Sequence, residues 1–196
     1  MPQTRTTLAL ALTVSLLAGV FSISCLAEDA EKTHHRNHTR YEHGIRNLHR
    51  VHPWLFRGGE PPEEAFKTLA EMGVTMVIDL RDRKRSAEKE KSLCKSVGLH
   101  YVQIPMSHRT QPTAKQISEF LKIVANAKEH TGKGSVFVHC ELGDDRTGCM
   151  IAISRIAFDD YTFDEAYQEM LHFGFSRHFD ALRLAVQQYA EQHAKR

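Results

Sequence analysis

At 196 residues and 41% apolar content, the chain is long enough for one globular domain with a proper core, plus appendages. Lys and Arg number 26 against 24 Asp and Glu, a near-balance that gives no case for a nucleic-acid binder.

The first 27 residues read as a signal peptide. Arg5 supplies the charged start, Leu8 to Val20 the apolar stretch, and Cys25-Leu26-Ala27 a small-residue cleavage site before Glu28-Asp29-Ala30. The apolar stretch falls short of the roughly 20 residues of a membrane-spanning helix, so an uncleaved anchor is the rival reading. Ser22 stands where a lipobox carries leucine, which disfavours lipidation at Cys25. The mature chain is expected to be exported, periplasmic in a bacterium, with no stable membrane insertion after cleavage. Cys94, Cys140 and Cys149 then remain, an odd number in a compartment that favours disulfides.

Residues 28–44 are expected to form a His/Arg-rich flexible linker, and residues 45–196 the folded domain. Six histidines, from His34 to His52, lie among arginines and asparagines without apolar periodicity. A solvated basic leader is favoured over a metal-scavenging tract. Trp54, Leu55 and Phe56 are the first expected core contacts. Pro61-Pro62 opens a predicted helix through Glu71, stopped by Gly73. Val74 to Leu80 is an almost continuous apolar run, hence a strand covered on both faces. Ser86 to Val97 predicts a charged helix, and Leu99 to Ile104 a strand. Thr113-Ala114-Lys115-Gln116 is a capping box for a helix carrying Ile117, Phe120, Leu121 and Val124, and Thr162-Phe163-Asp164-Glu165 is a second. The last helix is predicted over Phe179 to His193. Strands alternating with helices predict an α/β fold, a central mainly parallel sheet flanked by helices.

The chemistry concentrates in His139-Cys140-Glu141-Leu142-Gly143-Asp144-Asp145-Arg146-Thr147-Gly148. It follows the β-branched run Ser135-Val136-Phe137-Val138 and precedes the apolar Cys149-Met150-Ile151-Ala152-Ile153, a strand, loop and helix order. Backbone N–H groups at a helix N-terminus favour an anion. Such a setting draws a cysteine thiol from ~8.5 toward ~3.5–7.5. Arg146 adds a planar fork for two oxygens of a tetrahedral oxyanion. Gly143 lets the backbone turn, and the Thr147 hydroxyl is placed to donate to the sulfur. Residues Glu141 to Arg146 would form the phosphate-binding loop. The arrangement suits attack of sulfur on phosphorus and a phosphocysteine that water hydrolyses, with no cofactor or metal required.

This His-Cys, five residues, Arg-Thr-Gly run resembles the signature of the cysteine-dependent protein-tyrosine and dual-specificity phosphatases, in particular their compact bacterial branch. The resemblance extends to Leu55-Phe56-Arg57-Gly58-Gly59, to Gly73 through Arg81, to Tyr101 through Met106 and to Ala166 through Met170, covering roughly residues 45–192. It implies a phosphoric-monoester hydrolase with Cys140 as nucleophile, His139 beside it and Arg146 on the phosphate.

The family's general-acid aspartate should follow Ile104-Pro105-Met106, yet Ser107-His108-Arg109-Thr110-Gln111-Pro112-Thr113 holds no carboxylate. A positioned acid contributes ~10²–10⁴-fold, about 3–5 kcal/mol. Asp145 is the first substitute, because Cys-x-x-Gly-x-Asp-Arg-Thr is similar to the myotubularin loop, where the equivalent aspartate has been proposed for this role. His108 is second, and Asp82 third. Arg81, Arg83, Lys84, Arg85, His108 and Arg109 would make a basic rim that steers anions. Phosphotyrosine or mixed phosphoprotein substrates rank first. Inositol phosphates and phosphoinositides rank second, because Asp144 and Asp145 replace the lysines that such loops often carry. A phosphate-binding pseudophosphatase that acts as an interaction module is the remaining alternative.

Overall fold

The computed structural model describes residues 40–193. The expected signal peptide and most of the expected linker lie outside the described residues, as do residues 194–196. The linker's last residues belong to the fold. Tyr41–Glu42 (β1) pairs antiparallel with Ile45–Arg46 (β2) across His43 and Gly44, whose φ values of 52° and 74° suit a tight two-residue turn.

A five-stranded sheet follows, built from His49–His52 (β3), Leu55–Gly58 (β4), Val74–Asp79 (β5), His100–Gln103 (β6) and Ser135–His139 (β7), in the order β3-β4-β7-β5-β6. Only the β3–β4 pair is antiparallel. Six helices flank the sheet among the described residues: Ala65–Glu71 (α1), Lys84–Ser96 (α2), Ala114–Glu129 (α3), Asp145–Phe158 (α4), Phe163–His172 (α5) and Asp180–His193 (α6). The mainly parallel α/β architecture read from the sequence is the one observed.

Side-chain alternation along β7 explains the two layers. Phe137 points to one face, where it joins Phe56, Val77, Phe66, Leu69 and Cys94 beneath α1 and α2. Val136 and Val138 point to the other, with Leu55, Ile78, Phe120, Ile153 and Leu182 beneath α3, α4 and α6. Helix α4 is buried on nearly every side from Arg146 to Ser154, as a central helix must be. Both predicted capping boxes are present, with Thr113 and Thr162 each accepting from the N–H three residues on. Helix α1 starts later than Pro61-Pro62 suggested. The Ala65 and Phe66 N–H groups donate three residues back, to Pro62 and Glu63, so a tight turn precedes the first α-helical bond.

Register sets the position of the site. Gly58, Asp79 and Gln103 end their strands level with His139, through the pairs Gly58↔His139, Asp79↔His139 and Asp79↔Gln103. The loops that leave the parallel strands therefore open on one edge of the sheet, where α/β folds bind ligands.

Candidate functional site

The loop from Cys140 to Asp144 joins β7 to α4, and three of its carbonyls are met by donors from β7, from β4 and from the segment that follows β4. The Cys140 carbonyl faces His139 Nδ1 at 3.1 Å. The Glu141 carbonyl accepts from the Glu60 N–H at 3.1 Å, and that of Gly143 from Arg57 Nη2 at 2.7 Å. A trans peptide sets its N–H opposite its C=O, so the N–H groups of Glu141, Leu142 and Asp144 turn to the other side. The N–H of Gly148 is the first of α4 to bond within the helix, to Asp144. Those of Asp145, Arg146 and Thr147 are thus left at the positive end of the dipole. Gly143 has a φ of +79°, and a Cβ there would lie 2.6 Å from Gly58 C and Gly59 N, so this turn admits no side chain.

Cys140 opens the loop at 3% exposure. Arg146 closes it at 8% exposure, with Nη1 donating to the Met106 carbonyl at 3.4 Å. Its fork also stands 3.8 Å from Asp82 Oδ1 and 3.8 Å from Glu141 Oε2, and Glu141 is shared with Arg83. The guanidinium is thus flanked by two carboxylates at ion-pair range. The Thr147 hydroxyl, expected to donate to the Cys140 sulfur, instead donates to the Gly58 carbonyl at 3.4 Å, tying α4 to β4.

Asp145 Oδ1 accepts the Ser176 N–H at 2.8 Å. Burial holds its carboxyl above the usual range, against that bond and the charges of Arg146 and His108. The His108 ring packs edge-on against Phe179 at 5.0 Å. Asp82 thus approaches the Arg146 fork directly, whereas Asp145 feels Arg146 and His108 through space. The Asp144 side chain is turned into the protein. It is 5% exposed, accepts from Arg46 Nη2 at 2.8 Å and from Asn47 Nδ2 at 2.5 Å, and is pushed up to about 6 chiefly by burial.

A buried ionic cluster underlies the loop. His139 sends Nδ1 to the Cys140 carbonyl and Nε2 to Glu90 Oε1 at 2.7 Å, so both ring nitrogens face acceptors and call for protons. Burial alone would lower its pKa, but the Glu90 charge and hydrogen bond, with Asp79 behind them, raise it. Arg81 bonds Asp79 through Nε and Nη2 at 2.9 Å each, and also pairs with Glu90 and Glu60. Burial opposes the Asp79 charge, but Arg81 and His139 outweigh it and keep that carboxyl below its usual range. Arg81 is 1% exposed, which corrects its assignment to a basic rim: it is held by the buried carboxylates of Asp79 and Glu90 and covered by that of the exposed Glu60. Asp79, Glu90 and His139 bring ligand atoms within 4.8 Å of one another, but the Arg81 guanidinium already supplies the cation between the carboxylates.

Arg57, Glu60, Glu90 and the Arg46-Asn47 pair escaped sequence reasoning. Arg57 carried a signal, a charge inside the apolar run Leu55-Phe56, where an arginine is rarely buried without purpose. Glu90 carried none, lying among Glu88, Lys89 and Lys91 in a helix rich in charge.

A family model described as "DSP-PTPase phosphatase fused to NAD+ Kinase" matches residues 35–185. The dual-specificity protein phosphatase TpbA of Pseudomonas aeruginosa is 27% identical over 130 residues, 66% of this chain and 55% of that protein, so the chain spans about half the length of this relative. A crystal structure of TpbA in complex with pTyr has a TM-score of 0.60 at 22% identity, covering 82% of this chain and 99% of that one. A DUF442 protein from Shewanella putrefaciens CN-32 has a TM-score of 0.63 at 22% identity over 89% and 98% of the two chains. PTPMT1 in complex with PI(5)P has a TM-score of 0.64 at 15% identity, over 76% and 97%. These structural likenesses describe a shared fold.

Proposed function

The chain belongs to this dual-specificity and tyrosine phosphatase family, and we propose on that premise that it hydrolyses phosphoric monoesters through a phosphocysteine at Cys140. One observation carries the reading: three loop carbonyls are pinned outward by His139, Glu60 and Arg57, leaving an N–H cradle between Cys140 and Arg146. A phosphate group seats on these N–H groups and on the first turn of α4. The Arg146 fork releases its carboxylate neighbours and takes two phosphate oxygens. Cys140 Sγ forms the S–P bond as the P–O bond to the leaving group breaks. Asp145 gives the leaving oxygen its proton, then receives one from the water that cleaves the S–P bond. Burial raises the Asp145 carboxyl above its ordinary value, the direction a proton-carrying acid needs.

Phosphotyrosine or a mixed phosphoprotein is the preferred substrate, supported by the family and by the pTyr complex of TpbA. Inositol lipids are the second reading. The burial of Asp144 against Arg46 and Asn47 removes part of the charge argument against them, and PTPMT1 shares the fold in a PI(5)P complex.

The test is a panel of phosphotyrosine peptide, phosphoserine peptide and phosphoinositide vesicles, run on the full chain under reducing conditions. Steady turnover led by the phosphotyrosine peptide and abolished in Cys140→Ser is expected. Phosphate binding without turnover would make the protein an interaction module instead.

A further inference from the structure

Arg57 and Arg81 are the largest fully buried side chains of the described residues, and their surroundings are opposite. Arg81 is met by three carboxylates. Among the described residues Arg57 forms no ion pair: Nη2 donates to the Gly143 carbonyl at 2.7 Å, the guanidinium lies 4.0 Å from the centre of the Phe173 ring, and neither Nε nor Nη1 has an acceptor. Burial pulls this guanidinium down to about 10, and Glu169, Cys140 and Asp144 oppose that only through space. A cation kept from water without a counter-ion is stabilised by any anion that arrives nearby, and the low dielectric of the interior carries the attraction. The anion-binding loop is the nearest place for one, since Arg57 already holds its carbonyl.

We propose that Arg57 is a positioning residue of the phosphate site, turning the Gly143 peptide so that the Asp144 N–H faces the anion and adding a second buried cation beneath the cradle. The inference rests on the phosphate-binding reading of the loop. Arg146 binds the oxygens directly, whereas Arg57 acts through the loop peptide and through the field at Cys140. A purely structural arginine would hold the fold without altering how the site discriminates charge.

Iodoacetate and iodoacetamide separate the two roles, because both alkylate a thiol but only iodoacetate carries a negative charge. The full chain is reduced, the Cys140→Ser variant serves as the blank, and orthovanadate binding is measured alongside. The unmodified protein is expected to react faster with iodoacetate. Arg57→Met should reduce that preference about tenfold, the scale of one buried charge interaction. Arg57→Lys should keep it within about threefold, yet bind orthovanadate about tenfold more weakly, because an ammonium on a shorter stem does not place a donor where Arg57 Nη2 meets the Gly143 carbonyl. An unmodified protein without the preference, a folded Arg57→Met that retains it, or an Arg57→Lys that loses it would each overturn the proposal. If Arg57→Met does not fold, Arg57→Lys decides. Missing turnover in the unmodified protein, with the preference intact, would remove the hydrolase reading and leave the role of Arg57 standing.

Discussion

Burial keeps a larger fraction of Asp145 protonated than of an exposed aspartate, and the charges of Arg146 and His108 oppose it. If it protonates the leaving group, Asp145→Asn slows hydrolysis of an alkyl phosphate by ~10²–10⁴-fold and that of an activated aryl phosphate by less than about tenfold, because a good leaving group departs without a proton. Equal losses on the two substrates would assign Asp145 to loop geometry through Ser176. His139 supports a second prediction. Its pKa is raised in the folded protein above 6.5, so its stabilising charge is fully present below that pH and is lost as pH rises through the folded value. Glu90→Gln removes the partner that raises it. Urea titrations from about pH 5.5 to 9 should show the stability gap between parent and variant shrink as pH rises. A gap independent of pH would mean that Glu90 matters only to Arg81. Cys140 and Arg146 were legible in the sequence because spacing within one loop determines them. Glu90 was not, because burial of a charge is decided by packing between helix and sheet.

At the scale of elements, local signals were legible where the chain satisfies its own backbone. Both threonine caps were predicted because the partner lies three residues away. The β1–β2 hairpin was missed, since strands of two residues carry no alternation to read. The loop from Cys140 to Asp144 combines both kinds of information: its glycine was legible, but the backbone against which it packs belongs to another strand. Gly143→Ala forces an L-residue to a φ of +79° and drives its Cβ into Gly58 and Gly59. Left-handed backbone alone costs about 1–2 kcal/mol, and moving the loop misaims the cradle. Turnover should fall by on the order of 10²-fold, as it does when an oxyanion donor is lost, with a lower unfolding temperature. Gly132→Ala is the control, because Gly132 has a φ of +91° with nothing within 4 Å of its Cβ. That variant should lose stability and keep its turnover. Lost activity in both variants would separate the effect from the cradle.

At the scale of the molecule, the layered sheet and its helices were legible because hydrophobic period and length encode them, and parallel register then places the site by topology alone. The bracing of the site was not legible, because it joins segments nearly a hundred residues apart. Asn47, just after β2, donates to Asp144 at the start of α4 and to the Phe173 carbonyl at the end of α5, at 2.5 and 3.1 Å. Its φ of 52° is one that asparagine tolerates better than most residues. The hairpin thus reaches the end of the phosphate loop from outside the main sheet. Asn47→Ala removes both bonds, strands part of a buried carboxylate and puts at this φ a residue without the amide that eases it. The expected cost is about 2–4 kcal/mol in urea denaturation, from the lost hydrogen bonds to the Asp144 carboxylate and the Phe173 carbonyl together. If the hairpin also sets the loop, kcat/KM falls with it, because Asp144 keeps only Arg46 and the first turn of α4 loosens. The full stability cost with unchanged kcat/KM would show that the hairpin braces the fold while the cradle keeps its shape through His139, Glu60 and Arg57 alone.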